Sequence, residues 1–247
     1  MAIKKSKKVV KPETSFIKFE DVKKSYKMAA GDVHALQGVN FEIDEGEFVV
    51  IVGPSGAGKT TLLNLLGGMD RASSGKMLVD GQDVARFSEN KLVKYRRDVV
   101  GFVFQFYNLM PNLTALENIE LATEIRRGES LEPLEVLELV GLLPRQANFP
   151  SQLSGGEQQR VSIARSVAKN SKIILCDEPT GALDYETGKK ILKLLHDLNR
   201  AHKRTVVLVT HNSALRDMAD KVITMKNGTA SEIFINKNPK PIEEIEW

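Results

Sequence analysis

The sequence is poor in cysteine and contains no long apolar run. Cys176 is the one cysteine among 247 residues, so an internal disulfide is excluded and a reducing compartment is indicated. No stretch approaches the roughly 18 consecutive apolar residues that a membrane-spanning helix needs. The lysines near the N-terminus are not followed by an apolar segment, so the pattern of a secretory signal is missing. We therefore expect a cytoplasmic chain that reaches a membrane only through a partner.

Most of the chain also lacks an excess of charge. The formal net charge is +3, but five lysines and no acidic residue lie in residues 1–11, so the remainder carries a net charge of −2. A near-neutral body gives no electrostatic basis for general nucleic-acid binding, and we expect no specific nucleic-acid partner. Residues 1–14 are predicted to form a basic disordered tail. A solvated tail and a tail that contacts anionic lipid or RNA both agree with its lysines.

The most informative stretch, GPSGAGKTT, follows a short apolar, β-branched run and precedes a leucine-rich segment with helical spacing. A glycine-rich turn between a strand and a helix is the setting of a phosphate-binding loop, in which backbone N–H groups surround an anion at the positive end of the helix. Lys59 is placed to contact the β- and γ-phosphates, and Thr60 to offer its hydroxyl to Mg²⁺. The candidate nucleotide-binding residues of this loop are Gly53, Pro54, Ser55, Gly56, Ala57, Gly58, Lys59, Thr60 and Thr61.

Two further apolar runs, residues 171–176 and 205–209, end in polar side chains. Ligands collect at the carboxyl ends of the strands in parallel α/β sheets, so we expect these side chains to face the phosphate loop. The carboxylate of Asp177 is suited to bind Mg²⁺ through a water molecule, because this ion keeps much of its hydration shell. Glu178 is placed to orient and deprotonate a water that attacks the γ-phosphate. His211 is placed to hydrogen-bond the phosphate or that water.

Two residues have ambiguous local patterns. Gln105 ends the buried run 99–105, from which it can reach the metal or its water, although a capping or turn role fits equally well. Tyr26 ends the alternating run 15–27, where an exposed ring can stack on a base, an interaction worth on the order of 1–3 kcal/mol. The local sequence does not distinguish this from any tyrosine at a strand end. The remaining histidines, His34, His196 and His202, are interpreted as surface or packing residues.

The order of elements predicts an α/β fold. Residues 15–27 and 34–45 read as two alternating strands of an antiparallel β layer that precedes the α/β core. Three successive helices without an intervening strand indicate a helical subdomain inserted into that core. The predicted segments are a tail at 1–14, an ATP-binding core at 15–107 and 169–230, a helical subdomain at 108–168, and an extended C-terminal tail at 231–247.

Residues 153–160, LSGGEQQR, resemble the signature sequence of ABC-type ATPases. The other motifs of that family occur in the expected order: the phosphate loop at 53–60, the Q-loop at Gln105, Walker B at 173–178, the D-loop at 181–184 and the switch histidine at His211. The resemblance covers roughly residues 15–230. Within the family, residues 67–75 and 104–111 are similar to the MacB, LolD and FtsE group, with Met69 in place of the usual leucine.

The resemblance implies a P-loop NTPase core of ABC ATPase type that converts ATP and water to ADP and phosphate with Mg²⁺. It implies Thr60, Gln105 and Asp177 as the metal site and Tyr26 as the adenine platform. The signature residues Ser154, Gly155 and Gly156 would contact ATP held by a second copy, so that two nucleotides close a head-to-tail homodimer. The resemblance also implies an integral membrane permease with an extracytoplasmic domain, contacted through residues 106–111 at the cytoplasmic face of the membrane.

Three functional classes follow from this resemblance. The first is the energy subunit of an exporter of peptide, drug or lipid-linked cargo. The second is an FtsE-like regulator whose membrane partner controls cell-wall hydrolysis without transport. The third, a soluble ABC ATPase for translation or DNA repair, is disfavoured by the single nucleotide domain, the lack of a long coiled-coil insertion and the near-neutral body. The sequence alone does not separate the first two classes.

Overall fold

The computed structural model describes residues 15–29, 31–126 and 128–246, and the predicted basic tail at 1–14 lies outside them. The strands are β1 (Ile17–Tyr26), β2 (Val33–Ile43), β3 (Phe48–Val52), β4 (Ser74–Val79), β5 (Gln82–Asp83), β6 (Val100–Phe104), β7 (Ile173–Asp177), β8 (Thr205–Thr210), β9 (Lys221–Lys226) and β10 (Thr229–Ile235). The α-helices are α1 (Lys59–Leu66), α2 (Glu89–Asp98), α3 (Ala115–Ile125), α4 (Pro133–Leu139), α5 (Gly155–Ala168) and α6 (Tyr185–His202). Short 3₁₀ helices cover Val84–Arg86, Leu143–Arg145, Pro150–Gln152, Ser213–Met218 and Ile242–Glu244.

The strands form two sheets. An antiparallel sheet has the order β2-β1-β4-β5, and a larger sheet has the order β10-β9-β3-β8-β7-β6. In the larger sheet β6, β7, β8, β3 and β9 run parallel, and β10 pairs antiparallel with β9 at one edge. The predicted α/β fold with an antiparallel β layer is therefore confirmed.

Alternation along the central strands divides the core into two layers. Phe48 and Val50 belong to the cluster that contains the buried residues of α3 to α6, whereas Val49 and Ile51 belong to the cluster of α1 and the antiparallel sheet. All four side chains are completely buried. Full burial of such a side chain contributes about 1.5–3 kcal/mol. Both faces of β3 are thus fixed by packing, and the loop that follows β3 starts from a rigid base.

The described residues between β6 and β7 contain three α-helices and no strand. The first of them, α3, begins with a capping box: the Thr114 hydroxyl accepts from the Glu117 N–H, and the Glu117 carboxylate accepts from the Thr114 N–H. The Thr-x-x-Glu spacing is the sequence pattern of such a cap. None of the described helices is long and apolar enough to cross a lipid bilayer.

The C-terminal part of the chain differs from the sequence expectation. The interpretation of residues 231–247 as an extended tail is wrong for residues 231–246: β10 continues to Ile235, and a 3₁₀ helix follows at Ile242–Glu244. Ile242 and Ile245 are each only 3% exposed and belong to the main core. Two isolated isoleucines among lysines, prolines and acids give no periodic signal, so only their long-range contacts reveal that this segment is packed.

Candidate active site

The glycine-rich loop connects β3 to α1. Gly58 is the N-cap of α1 and has a left-handed conformation, with φ of 93°. A Cβ at Gly58 would lie 2.5 Å from the carbonyl oxygen of Ala35, so both the backbone angle and the close approach require glycine. The loop therefore lies directly against β2 of the antiparallel sheet. The N–H groups in the first turn of α1, which follows the loop, have no hydrogen-bond partner within that helix.

The loop borders a cavity of about 380 Å³ at the carboxyl ends of β7 and β8. Its lining residues are Val33, His34, Ala35, Ser55, Gly56, Ala57, Gly58, Lys59, Thr60, Thr61, Asp177, Glu178 and Val209. The structure thus brings the phosphate loop and both acidic residues, which lie more than 110 positions apart in the sequence, into one crevice. Gly53 and Pro54 adjoin this crevice through the hydrogen bonds that Lys59 makes.

Lys59 is held by the loop itself. Its ammonium group donates to the carbonyl oxygens of Gly53 at 2.7 Å and Pro54 at 3.0 Å, and only 8% of the residue is exposed. Because an ammonium group has three donors and can rotate, it can exchange these carbonyls for phosphate oxygens with a small movement. The cation is therefore already located where a triphosphate would need it.

Thr60 and Asp177 form a pair of hard oxygen donors. The Thr60 hydroxyl donates to Oδ1 of Asp177 at 3.4 Å, a long contact. Burial raises the pKa of Asp177 above its usual value, and the charge of Glu178 adds to this shift, against the opposing effects of Thr60 and Lys59. A nearby cation favours the ionised form of such a carboxyl group. Hydroxyl and carboxylate oxygens fit Mg²⁺, which retains water and binds through few protein groups.

The described residues contain no cluster of three or more His, Cys, Asp or Glu side chains able to hold a metal on its own.

Glu178 and His211 are in direct contact. Oε1 of Glu178 accepts from the His211 backbone N–H at 2.8 Å and lies 2.8 Å from His211 Nδ1. Oε2 accepts from the Thr210 hydroxyl at 3.1 Å. Glu178 has a left-handed backbone, with φ of 47°, a conformation that costs of order 1–3 kcal/mol in a non-glycine residue. The carboxylate is thus positioned by the Thr210 hydroxyl, the His211 backbone N–H and the His211 ring, all at the end of β8.

The other expected site residues do not line the cavity. Gln105 lies against Gly181, since its Nε2 is 3.0 Å from the position of a Cβ on Gly181. Ser154 caps α5 by accepting from the Glu157 N–H at 3.3 Å and is exposed. Gly155 and Gly156 form the first turn of α5, and neither they nor Ser154 are among the cavity residues.

Tyr26 is also outside the cavity lining, at the end of β1. Its hydroxyl donates to Oδ2 of Asp70 at 2.8 Å, and Nζ of Lys24 lies 4.7 Å from the ring centroid. Burial, followed by the bond to Asp70, raises the pKa of the Tyr26 phenol. Tyr26 is 37% exposed, so the side chain that these polar contacts orient is still accessible.

Three residues in or around the site were not identified from the sequence. Thr210 adds a hydroxyl donor to Glu178, and its place directly before His211 was the available signal. Gln159 is completely buried and donates to the carbonyls of Phe104 at 3.2 Å and Pro179 at 2.6 Å, a long-range link that no local pattern predicts. His34, interpreted as a surface or packing residue, lines the cavity.

A sequence model of the ABC transporter family matches residues 36–181, which include the loop, Gln105, the signature residues and both acids. The chain belongs to the ABC transporter family. The predicted family is therefore confirmed, and the described fold is that of an ABC-type ATPase domain.

Relatives of this ABC-family chain include proteins of different lengths. The putative ABC transporter ATP-binding protein MG065 homolog of Mycoplasma pneumoniae is 42% identical over 98% of this chain, which covers 53% of that relative. The chain spans about half the length of the two Mycoplasma relatives it matches. The macrolide export ATP-binding/permease protein MacB of Escherichia coli is 41% identical over 94% of this chain, which covers 36% of it.

A solved structure extends the similarity to three dimensions. The ATP-binding cassette MJ0796, in a dimeric post-hydrolysis state bound to ADP and Pi, has a TM-score of 0.81 and 44% identity to this ABC-family chain. The match covers 89% of this chain and 98% of that structure. The corresponding protein of Methanocaldococcus jannaschii is 48% identical over 86% of this chain, which covers 94% of that relative.

Proposed function

We propose that this chain binds MgATP, closes as a head-to-tail homodimer over two nucleotides, and couples their hydrolysis to an integral membrane permease that exports peptide, drug or lipid-linked cargo. The observation that carries the proposal is the division of the motifs within one chain. The loop, Asp177 and Glu178 border one cavity, while Ser154, Gly155 and Gly156 lie at the start of α5, outside the lining of that cavity. A second copy, placed head to tail, would bring the two halves together.

The side chains of the cavity support binding of a triphosphate. Lys59 would release the Gly53 and Pro54 carbonyls and donate to phosphate oxygens, and the loop N–H groups at the start of α1 would donate to the same anion. Thr60 and Asp177, with Gln105 approaching from β6, would hold Mg²⁺. Bound Mg²⁺ supplies positive charge that offsets the charge developing on the phosphate oxygens.

Glu178 and His211 supply the groups needed for hydrolysis. Glu178 would orient the attacking water and accept its proton, because its carboxylate is fixed by Thr210 and His211 at the rim of the cavity. His211 is 71% exposed at its side chain and would exchange its contact with Glu178 for one with the γ-phosphate. Positioning and charge stabilisation are the main sources of acceleration in phosphoryl transfer.

The first turn of α5 would recognise the nucleotide held by the other copy. Ser154 is exposed at the positive end of a 14-residue helix, where an anion is stabilised by free N–H groups and by the helix dipole. Hydrolysis removes the γ-phosphate from these contacts and shifts the population towards the open state. The dimeric MJ0796 structure with ADP and Pi supports this arrangement by similarity.

A surface beside Gln105 is suited to permease docking. Phe106 is 73% exposed and Met110 51% exposed in the loop between β6 and α3. The loop is anchored rather than loose, because Arg165 donates to the carbonyls of Tyr107 and Asn108. Exposed apolar side chains on a fixed loop favour contact with another protein. The name of the MacB relative, which combines an ATP-binding domain and a permease, supports a membrane partner.

We expect Phe106→Ser combined with Met110→Ser to abolish co-purification of the chain with a polytopic membrane protein from cross-linked membranes. The ATPase rate of the isolated chain should remain that of the parent, because neither side chain lines the cavity. Leu139→Ser, at a similarly exposed site on α4, is the matched control. Retention of the same membrane protein by the double variant would exclude this loop as the docking surface.

We expect Tyr26→Ala to weaken ATP binding about tenfold or more, as loss of a stacked base costs on the order of 1–3 kcal/mol. Tyr26→Phe removes the hydroxyl bond to Asp70 but keeps the ring, so most of the affinity should remain. Calorimetric titration with ATP measures both variants. Inorganic tripolyphosphate, which has no base, should bind all three proteins equally. An equal loss of tripolyphosphate binding in Tyr26→Ala would assign the ring to supporting the loop.

A further inference from the structure

The segment after β10 is attached to two separate elements of the core. Residues 236–246, here called the C-terminal bracket, contain the two buried isoleucines Ile242 and Ile245. Both belong to the cluster that includes the buried face of α6, and the 3₁₀ helix Ile242–Glu244 packs against that helix. The bracket is therefore part of the folded core and not a surface extension.

One end of the bracket holds the 3₁₀ helix Ser213–Met218. The Lys240 N–H donates to the carbonyl oxygen of Asp217 at 2.9 Å, and the Lys240 ammonium lies 2.7 Å from the Asp217 carboxylate. The side-chain amide of Asn236 donates to the same Asp217 carbonyl oxygen at 3.0 Å. This 3₁₀ helix begins two residues after His211, so the bracket fixes the element that immediately follows the switch histidine.

The other end holds the first half of α6. Lys189 donates to the carbonyl of Glu243 at 2.9 Å, and Lys193 lies 2.8 Å from the Glu243 carboxylate. The Tyr185 hydroxyl lies 3.4 Å from the carbonyl oxygen of Ile245. Tyr185 is the first residue of α6 and directly follows residues 181–184, which resemble the D-loop of the family. The bracket therefore also fixes the element that follows this loop.

We propose that the C-terminal bracket is a positioning device that sets the spacing between His211 and residues 181–184. Glu178 lies between these two places: its carboxylate contacts His211, and its carbonyl accepts from the Gly181 N–H at 3.0 Å. A shift of either loop would misplace the groups that surround the attacking water, and small misplacements of reacting groups lower rates strongly. This inference rests on the proposed hydrolytic function.

The first set of variants reverses charges and leaves the buried isoleucines in place. The variant Lys240→Glu/Glu243→Lys breaks the pairs with Asp217 and Lys193, and adding Asp217→Lys and Lys193→Glu restores both with reversed charges. Lys237→Glu/Glu246→Lys makes the same change at exposed positions of the same segment and is the control. Ile242→Ala removes the apolar attachment. All variants are assayed well below their unfolding midpoints.

We expect kcat at saturating MgATP to fall up to about tenfold in the reversed and Ile242→Ala variants, with the ATP dissociation constant unchanged, because the phosphate loop is not touched. The quadruple variant, in which both ion pairs are restored with reversed charges, should recover the parental kcat. A general loss of packing would not explain such a recovery. A parental kcat in both disrupted variants, or parallel changes in kcat and nucleotide affinity, would overturn the proposal.

Hydrogen exchange separates failure of the bracket from failure of the proposed function. We expect faster amide exchange in residues 178–184 and 211–212 of the nucleotide-free disrupted variants than in the control, whether or not the chain hydrolyses ATP. If the parent has no ATPase activity, the proposed function fails while this comparison still decides the bracket. Unchanged exchange in both loops would refute the bracket.

Discussion

We expect the Glu178→Gln variant to hydrolyse ATP about 10²–10⁴-fold more slowly than the parent, the usual scale for loss of a general base. Glutamine has the length of glutamate, and its amide oxygen can still accept from His211 or Thr210. It cannot take a proton from the attacking water, so nucleotide binding persists while the chemical step is blocked. The variant should accumulate as an ATP-bound dimer, which phosphate-release assays and size-exclusion chromatography in MgATP would detect.

The control for this experiment is Glu138→Gln, the same chemical change at an exposed position of α4. Its turnover and oligomeric state should match those of the parent. Near-parental turnover of Glu178→Gln would remove Glu178 from the role of general base. Loss of ATP binding together with turnover would instead show that the carboxylate mainly supports residues 210–211.

The second large effect concerns the first turn of α5. We expect Ser154→Arg to abolish MgATP-dependent dimerisation, because the long side chain would occupy the space that the phosphates of the facing copy need. Nucleotide binding by the monomer should persist, since Ser154 does not line the cavity. Introducing the change into the Glu178→Gln background keeps ATP intact during chromatography. Dimer formation at the parental MgATP concentration would show that the signature residues do not act across the interface.

Ser154 also caps α5, and loss of such a cap costs roughly 0.5–2 kcal/mol of stability. Ser154→Asp separates the two roles, because aspartate is a good N-cap but places a negative charge against the γ-phosphate. It should therefore lose dimerisation and keep a parental unfolding midpoint. Ser151→Asp, three residues earlier and exposed, should behave as the parent. Dimerisation by Ser154→Asp would indicate that the phosphates do not approach this turn.

The parts of the fold with strong local patterns were predictable from the sequence. The run before Gly53 is buried on both faces, and the glycine turn that follows requires backbone angles that few other residues adopt. The acids at the end of β7 could be placed opposite the loop because parallel strands end at the same edge of a sheet. These features follow from periodicity, turn chemistry and topology alone.

The remaining features depend on contacts between distant residues. Asp70 orients Tyr26 from 44 positions away, and Gln159 links the ends of β6 and β7 from within α5. Neither partner is recognisable until the chain is folded. Burial of Ile242 and Ile245 was missed for the same reason, since their surroundings in the sequence are polar. Local sequence therefore identified candidates for the chemical groups, whereas the framework that orients them required the structure.

The position of Lys59 has a consequence for the binding of a new nucleotide in the proposed cycle. The ammonium group rests on the carbonyls of Gly53 and Pro54, so the anion cradle keeps its shape before any ligand arrives. The entropy lost in ordering this cation is spent once, during folding, rather than at every encounter with nucleotide. In the proposed cycle, the loop therefore does not have to be assembled before it can accept a triphosphate.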